Sequence, residues 1–338
     1  MIIYDDYSLK SLNTFHIDVT CRHYTEVKSV DDIAEILSHP GFEDTDKLIL
    51  GGGSNILFTK NYDGIIIKNS IPGIEIIKEI DDNVYVKASA GVVWHQFVLW
   101  CIAHNLSGLE NLSLIPGQVG AAPMQNIGAY GVEIKDVFES LSAYHITEKA
   151  IHHFQLNDCA FGYRESVFKN KFRNQYIILD VTFRLNKTPV FHVNYGDIRN
   201  TLEQMMIQEL SIKAVSDAVI SIRSSKLPDP AVLGNAGSFF KNPVISKHQF
   251  DQLITVYPLM PNYPQQQGDV KIPAGWLIEQ CGWKGKVVGN TGSHKSQALV
   301  LVNYGNATGP EIYRLALDIQ QSVKEKFGIL IEPEVNLV

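Results

Sequence analysis

Pro116–Gly131, PGQVGAAPMQNIGAYG, is the stretch on which the reading of this chain turns: sixteen residues hold four glycines, three alanines and no charge. Glycine weakens helices and strands, so a folded chain concentrates it where something must approach the main chain closely. Val119, Met124, Ile127 and Tyr130 are apolar groups that want burial. They set the run apart from a flexible linker, where Ser, Glu, Lys and Pro prevail. A wall against a bound cofactor is the leading reading, and a linker the weaker one.

A second glycine-rich element lies upstream. Lys47-Leu48-Ile49-Leu50 reads as a short buried strand running into Gly51-Gly52-Gly53-Ser54-Asn55 and on to Ile56-Leu57-Phe58: strand, tight turn, strand. Successive N–H groups in such a turn form a concavity that binds anions. A G-x-G-x-x-G dinucleotide fingerprint should open a helix, and residues 56–68, ILFTKNYDGIIIK, have no helical period. No Gly-Lys-Ser/Thr follows, so it is not a Walker loop either. Paired with the Pro116–Gly131 wall, the loop suggests a seat for a pyrophosphate, with the wall taking the rest of a dinucleotide.

Composition sets the outer bounds. The 338 residues suffice for two or three domains, and 45% hydrophobic with 19% charged residues is ordinary for a folded globular chain. A net charge of -7, with no block of Lys or Arg, excludes a sequence-independent nucleic-acid binder. No apolar run approaches the ~20 residues that span a bilayer, and the start, MIIYDDYSLK, lacks the order of a signal peptide. A cytoplasmic protein with no membrane partner is expected. Cys21, Cys101, Cys159 and Cys281 show no CxxC spacing, which fits a reducing compartment and no metal site. His152-His153 reads as an exposed pair on a strand.

Strands are expected at 83–91, 136–145 and 175–185, with a helix from Val92 to Asn105 placing Val93, Phe97, Trp100 and Cys101 on one face. Leu179, Val181, Phe183 and Leu185 alternate with Asp180, Thr182 and Arg184, a half-buried antiparallel pattern. The class is therefore α+β. Helices follow over 198–210 and 212–224, and Leu227-Pro228-Asp229-Pro230 marks a domain boundary. The last third carries a helix from Gly309 to Phe327, with a Thr308/Glu311 capping box and Gly328 as its C′ residue. Residues 329–335 read as a short closing strand.

The segment 234–243, GNAGSFFKNP, contains Ser238, which is not in a G-x-S-x-G elbow. With it in register stand LGGGSN (50–55), IPGQVGAAPMQNIGAYG (115–131), GYRES (162–166), RSSKLPDP (223–230), PAGWLIEQCGWKG (273–285) and IEPEV (331–335). In this order they resemble the UDP-N-acetylenolpyruvoylglucosamine reductase family, the flavoenzymes of bacterial peptidoglycan synthesis, over nearly the whole chain. The Asn194-Tyr195-Gly196-Asp197 loop is similar to that of its longer-chain type.

The resemblance implies a two-part FAD-binding domain of the vanillyl-alcohol-oxidase (PCMH) type, residues 1–70 and 71–226. It also implies a smaller α/β substrate-binding domain over 227–327, with 328–338 returning near the site. FAD would be bound noncovalently, accept a hydride from NADPH on N5 and give it to the enolpyruvyl group of a UDP-sugar, yielding UDP-N-acetylmuramate. Gly51, Gly52, Gly53, Ser54 and Asn55 would cradle the pyrophosphate. Ser113, Pro116, Gly117, Gly120, Ala121, Ile127 and Gly131 would line the flavin, and Arg223 would approach its ring or a phosphate.

Hydride addition leaves an enolate-like charge that needs stabilising partners. By the resemblance Arg164 binds the substrate carboxylate, a task suited to a planar guanidinium. Glu334 stabilises the enolate, and Ser238 gives the proton. Lys226, Asn242 and Tyr195 hold the substrate; Tyr163 joins them or serves packing, and the same packing alternative holds for Tyr130. Asp197 reads equally as the N-cap of the following helix. Asn336 departs from the Arg expected after IEPEV. A monomer is expected. Two other readings stand beside this one: an alcohol oxidase or dehydrogenase on the same scaffold, and a non-catalytic nucleotide-binding module.

Overall fold

The computed structural model describes residues 1–265 and 268–338. These divide into two compact units: Met1–Tyr7, Cys21–Gly53 and Asp63–Ser225 form the first, and Ser8–Thr20, Ser54–Tyr62 and Lys226–Val338 the second.

The first unit contains a four-stranded sheet in the order Ile3–Ser8, Thr20–Val27, Tyr62–Asn69, Lys47–Leu50. Lys47–Leu50 runs parallel to Tyr62–Asn69, with Leu50 opposite Lys68. Lys47–Leu50 does not pair across the glycine loop with Ile56–Leu57, which pairs instead with Asn336–Leu337. Helix Val30–Ser38 starts where Ser29 Oγ accepts the Asp32 N–H at 3.1 Å, and its Ile33, Ile36 and Leu37 pack with Ile65 and Ile67.

A five-stranded antiparallel sheet follows, in the order Ala150–Gln155, Phe138–His145, Tyr176–Asn186, Asn83–Ser89, Ile74–Ile80. Leu179, Val181, Phe183 and Leu185 of its central strand are buried as the alternation requires. Ile178 and Thr182 are buried as well, so the other face is covered too, more than the half-buried pattern predicts.

The helix expected from Val92 runs from Trp94 to Ala103. That start puts Trp94, Phe97, Val98 and Cys101 on one i, i+3, i+4, i+7 stripe, all buried, and leaves Val93 exposed at the N-cap. Trp94 belongs inside because its indole N–H reaches the Leu112 carbonyl at 2.9 Å. Helix Ile198–Gln204 stops earlier than expected, before Met206 at φ 54°, and helix Ile212–Lys226 runs up to the Leu227-Pro228 stop.

In the second unit, Gly234–Ser238, Val300–Asn303, Thr291–Ser293 and Val287–Val288 form a sheet in that order. Helix Gly309–Phe327 packs on it. Ile312, Leu315, Ala316, Ile319, Val323 and Phe327 are all buried, the Thr308/Glu311 capping box forms, and Gly328 adopts φ 66°. Residues 329–335 are not a strand. Their one ladder contact is Pro333 opposite Phe240, because proline has no N–H with which to extend a ladder. The strand comes later, where Asn336–Leu337 pairs parallel with Ile56–Leu57.

Candidate functional site

The two glycine-rich elements of the first unit meet main chain to main chain. A Cβ at Gly52 would stand 2.9 Å from Gly117 Cα, and one at Gly51 would lie 3.6 Å from Ala121 Cβ. At Gly52 only glycine allows this approach, whereas the Gly51–Ala121 distance is an ordinary contact. Lys68, opposite Leu50 in the parallel ladder, donates from Nζ to the Gly51 carbonyl. Burial lowers its pKa from the ordinary lysine value. The only trace of this lysine in the sequence is a lone cation ending the apolar run Ile65-Ile66-Ile67.

Gln118 lies at the same seam. Its Nε2 donates to the Gly91 carbonyl at 2.8 Å, whereas its Oε1 is buried without a hydrogen-bond partner. That oxygen would stand 3.3 Å from a Cβ at Gly51.

The entry to the wall is pinned from two sides. Leu114, at φ 57°, donates its N–H to His95 Nδ1 at 3.0 Å and accepts from Arg223 Nε at 3.2 Å. Burial, and then the Arg223 charge, lowers the His95 pKa. Burial also lowers that of Arg223, whose side chain bonds the Tyr130 hydroxyl. Arg223 is thus engaged in holding Leu114 and Tyr130. Ser113 is fully buried; its hydroxyl donates to the Glu110 carbonyl at 2.8 Å and shares a 2.8 Å contact with Ser216. Gly120 is small because of Ala90, whose Cβ would lie 2.5 Å from an added one. Pro116, Ala121 and Gly131 are exposed, with Gly117 and Ile127 half-buried.

Arg164 docks on the wall. Its Nη2 donates to the Gly128 carbonyl at 2.7 Å, and its guanidinium lies 5.4 Å from the centre of the Tyr163 ring. Gly162 and Glu165 exchange backbone hydrogen bonds of 3.0 and 3.3 Å around it. Arg164 sits in that turn at φ 57°, a conformation that favours Gly or Asn. Tyr195, 46% exposed, overlies the end of the wall, its Cβ 3.3 Å from where a Gly131 Cβ would stand. Asp197 occupies the N-cap position, as the helix-entry reading has it, though its side chain makes no capping bond.

In the second unit Ser238 ends its strand opposite Val300, just after Gly237 at φ 70°. The Glu334 N–H donates to the Phe239 carbonyl at 2.7 Å and the Lys241 N–H to the Glu332 carbonyl at 2.9 Å. The Ser238 and Glu334 segments therefore lie side by side. Glu332 is exposed and Glu334 half-buried. Asn55 Nδ2 donates to the Glu334 carbonyl at 3.3 Å, and Asn336 Nδ2 donates to the Asn55 carbonyl at 2.9 Å. Asn336, where Arg was expected, thus anchors the end of the glycine loop. Asn242 Oδ1 accepts the Ala274 N–H at 2.9 Å, at the start of helix Ala274–Gln280. Lys226 is exposed at the end of its own helix.

A groove of about 540 Å³, lined in part by His152, Phe154, Lys171 and Tyr176, contains none of these residues. His152 Nδ1 lies 3.0 Å from the Tyr176 hydroxyl. Among the described residues no three metal-ligating side chains cluster, and no helix is long and apolar enough to cross a membrane.

Residues 22–149 match the FAD binding domain family, and residues 229–338 match the C-terminal domain of UDP-N-acetylenolpyruvoylglucosamine reductase. The chain is 51% identical to the UDP-N-acetylenolpyruvoylglucosamine reductase of Amoebophilus asiaticus over 100% of both chains. It is also 51% identical to that of Flavobacterium johnsoniae over 100% of both. The UDP-N-acetylenolpyruvylglucosamine reductase crystal structure from Thermus caldophilus superposes with a TM-score of 0.68 at 21% identity, over 99% of this chain and 98% of that one. This last likeness speaks to the fold alone: α+β, with an FAD-binding domain of the PCMH type.

Proposed function

The chain belongs to the UDP-N-acetylenolpyruvoylglucosamine reductase family, and from that premise we propose that it reduces the enolpyruvyl group of a UDP-sugar with NADPH, giving UDP-N-acetylmuramate for peptidoglycan synthesis. The observation that carries this reading is the seam between Gly51–Gly53 and Gly117 inside the region that matches the FAD binding domain family. A main-chain cradle with Lys68 against its first carbonyl suits an anionic diphosphate, and the exposed face of Pro116, Ala121 and Gly131 suits a flat ring system. Bound there noncovalently, FAD supplies hydride transfer between the nicotinamide and the enolpyruvyl carbon.

The chain's own groups do the rest. Arg164, held by Gly128 and Tyr163, would take the substrate carboxylate. Its left-handed backbone supports a functional reading, since such strain persists where a role demands it. Ser238 would give a proton to the carbon that carries the carboxylate, and half-buried Glu334 would stabilise the charge that precedes that transfer. Tyr163, Tyr195, Lys226 and Asn242 would hold the sugar nucleotide. Arg223 and Ser113 would position the wall through Leu114 and Ser216. We place the protein in the cytoplasm as a monomer without nucleic-acid partners.

NADPH oxidation with and without the enolpyruvyl sugar nucleotide tests this. Oxidation that depends on that substrate supports the proposal. A flavin-bearing protein that instead oxidises alcohols would be the scaffold's other chemistry, and a protein without flavin absorbance would be a binding module.

A further inference from the structure

The side chain of Gln118 is the one place in the wall where a buried polar atom lacks a partner. The orientation of its amide is fixed by chemistry: the Gly91 carbonyl can only accept, so the atom 2.8 Å from it is the NH2 group. The other end must then be Oε1, an acceptor with no hydrogen-bond partner, buried beside Gly51. Buried polar atoms of native proteins are satisfied in nearly every case, so an orphan marks a group that completes the site from outside.

The neighbourhood restricts which group that is. A diphosphate seated on the Gly51–Gly53 amides carries only acceptor oxygens, and those would repel Oε1. The parts of FAD bonded directly to its diphosphate are the ribityl chain on one side and the adenosine ribose on the other, and both carry hydroxyl donors. Resting on the FAD reading above, we propose that Gln118 is a cofactor-binding residue whose Oε1 accepts a hydrogen bond from a sugar hydroxyl of FAD next to the diphosphate. Its Nε2 bond to Gly91 locks the amide in the accepting orientation before the cofactor arrives, so the donor meets a preorganised partner.

The proposal separates Gln118 from a residue that merely packs. Gln118→Met keeps the length and removes the acceptor. FAD should then bind ~5–10-fold more weakly, the worth of one hydrogen bond, measured by titrating FAD-stripped protein and following flavin fluorescence. The melting temperature of the FAD-free variant should stay close to that of FAD-free wild type, because the free protein loses an unsatisfied atom together with the Nε2 bond to Gly91. The second arm uses the wild-type chain with FAD forms in which single ribityl or ribose hydroxyls are replaced by hydrogen. One of them should bind ~5–10-fold more weakly than FAD, and Gln118→Met should not discriminate against it.

Binding of FAD to Gln118→Met within twofold of wild type overturns the assignment, as does equal wild-type affinity for every deoxy form. A buried water on Oε1 would give that second result. If the variant does not fold, the deoxy series on wild type decides alone. Wild type that binds no FAD overturns the cofactor reading itself, and this inference with it.

Discussion

Along Gly51–Gly53 and Pro116–Gly131 the first unit presents main chain: glycines that touch each other and a proline and alanine at the surface, with few polar side chains turned outward. In the second unit the side chains proposed to react, Ser238 and Glu334, stand on backbone that is itself tied down, through Phe239, Lys241 and Asn55. A main-chain surface recognises a large cofactor by shape and amide direction, so it tolerates side-chain change until a Cβ intrudes. A side-chain corner depends on single atoms. Changes in the wall should therefore move cofactor affinity, and changes in the corner should move rate.

The largest effect is expected in the corner. Ser238→Ala should leave flavin reduction by NADPH intact and lower turnover of the enolpyruvyl substrate by the ~10²–10⁴ typical of a lost general acid, with Ser238→Cys retaining part. Stopped-flow reoxidation should likewise slow for Glu334→Gln and stay near wild type for Glu332→Gln, whose side chain is exposed. Near-normal turnover in Ser238→Ala would break the division between wall and corner. A slow Glu332 variant would show that the wrong acid was chosen.

A smaller effect, of the opposite kind, is expected from Gly52→Ala. The new Cβ would meet Gly117 Cα at 2.9 Å, and backbone yields less readily than the end of a side chain. Overpacking of this sort costs ~1–3 kcal/mol, so FAD affinity should fall roughly 5- to 150-fold. The kcat of the FAD-saturated enzyme should stay within about twofold of wild type. A fall in kcat with unchanged affinity would mean that the loop takes part in chemistry.

What the sequence disclosed follows the range of the forces involved. Helix Gly309–Phe327 was legible to the residue because its cap, stripe and C′ glycine all act within a turn of one another. The tail 329–335 has the composition of a strand without being one, because its fate depends on Pro333 meeting Phe240, a contact distant in sequence. Val93 and Trp94 exchanged places because two apolar neighbours fit a stripe equally until the helix start is known. The glycine loops were visible as composition, yet their mutual contact was not. Lys68, His95 and Gln118 went unnoticed for the same reason: each matters through one atom of Gly51, Leu114 or Gly91, and no spacing in the chain records such a contact.

The smallest effect sharpens the comparison from the side of the wall, through pH. His95 accepts the Leu114 N–H on Nδ1, which requires an unprotonated nitrogen there, and burial followed by the Arg223 charge holds its pKa below the usual histidine value of ~6.5. Between that lowered value and the usual one, the unfolded chain carries a proton that the folded chain does not. Stability therefore rises with pH across this window: the neutral state's advantage is complete above the ordinary histidine pKa, declines as pH falls through it, and loses nothing more below the folded value. The FAD-free wild type should melt progressively lower from about pH 6.5 downward. His95→Gln, which can accept from Leu114 without titrating, should show a shallower slope. Because Leu114 leads into Pro116, acid should also weaken FAD binding in wild type more than in the variant, while flavin reoxidation at saturating FAD should show no such difference. Parallel melting curves for the two proteins across that window would remove His95 from the wall's support. A wild-type loss confined to reoxidation would move it to the chemistry.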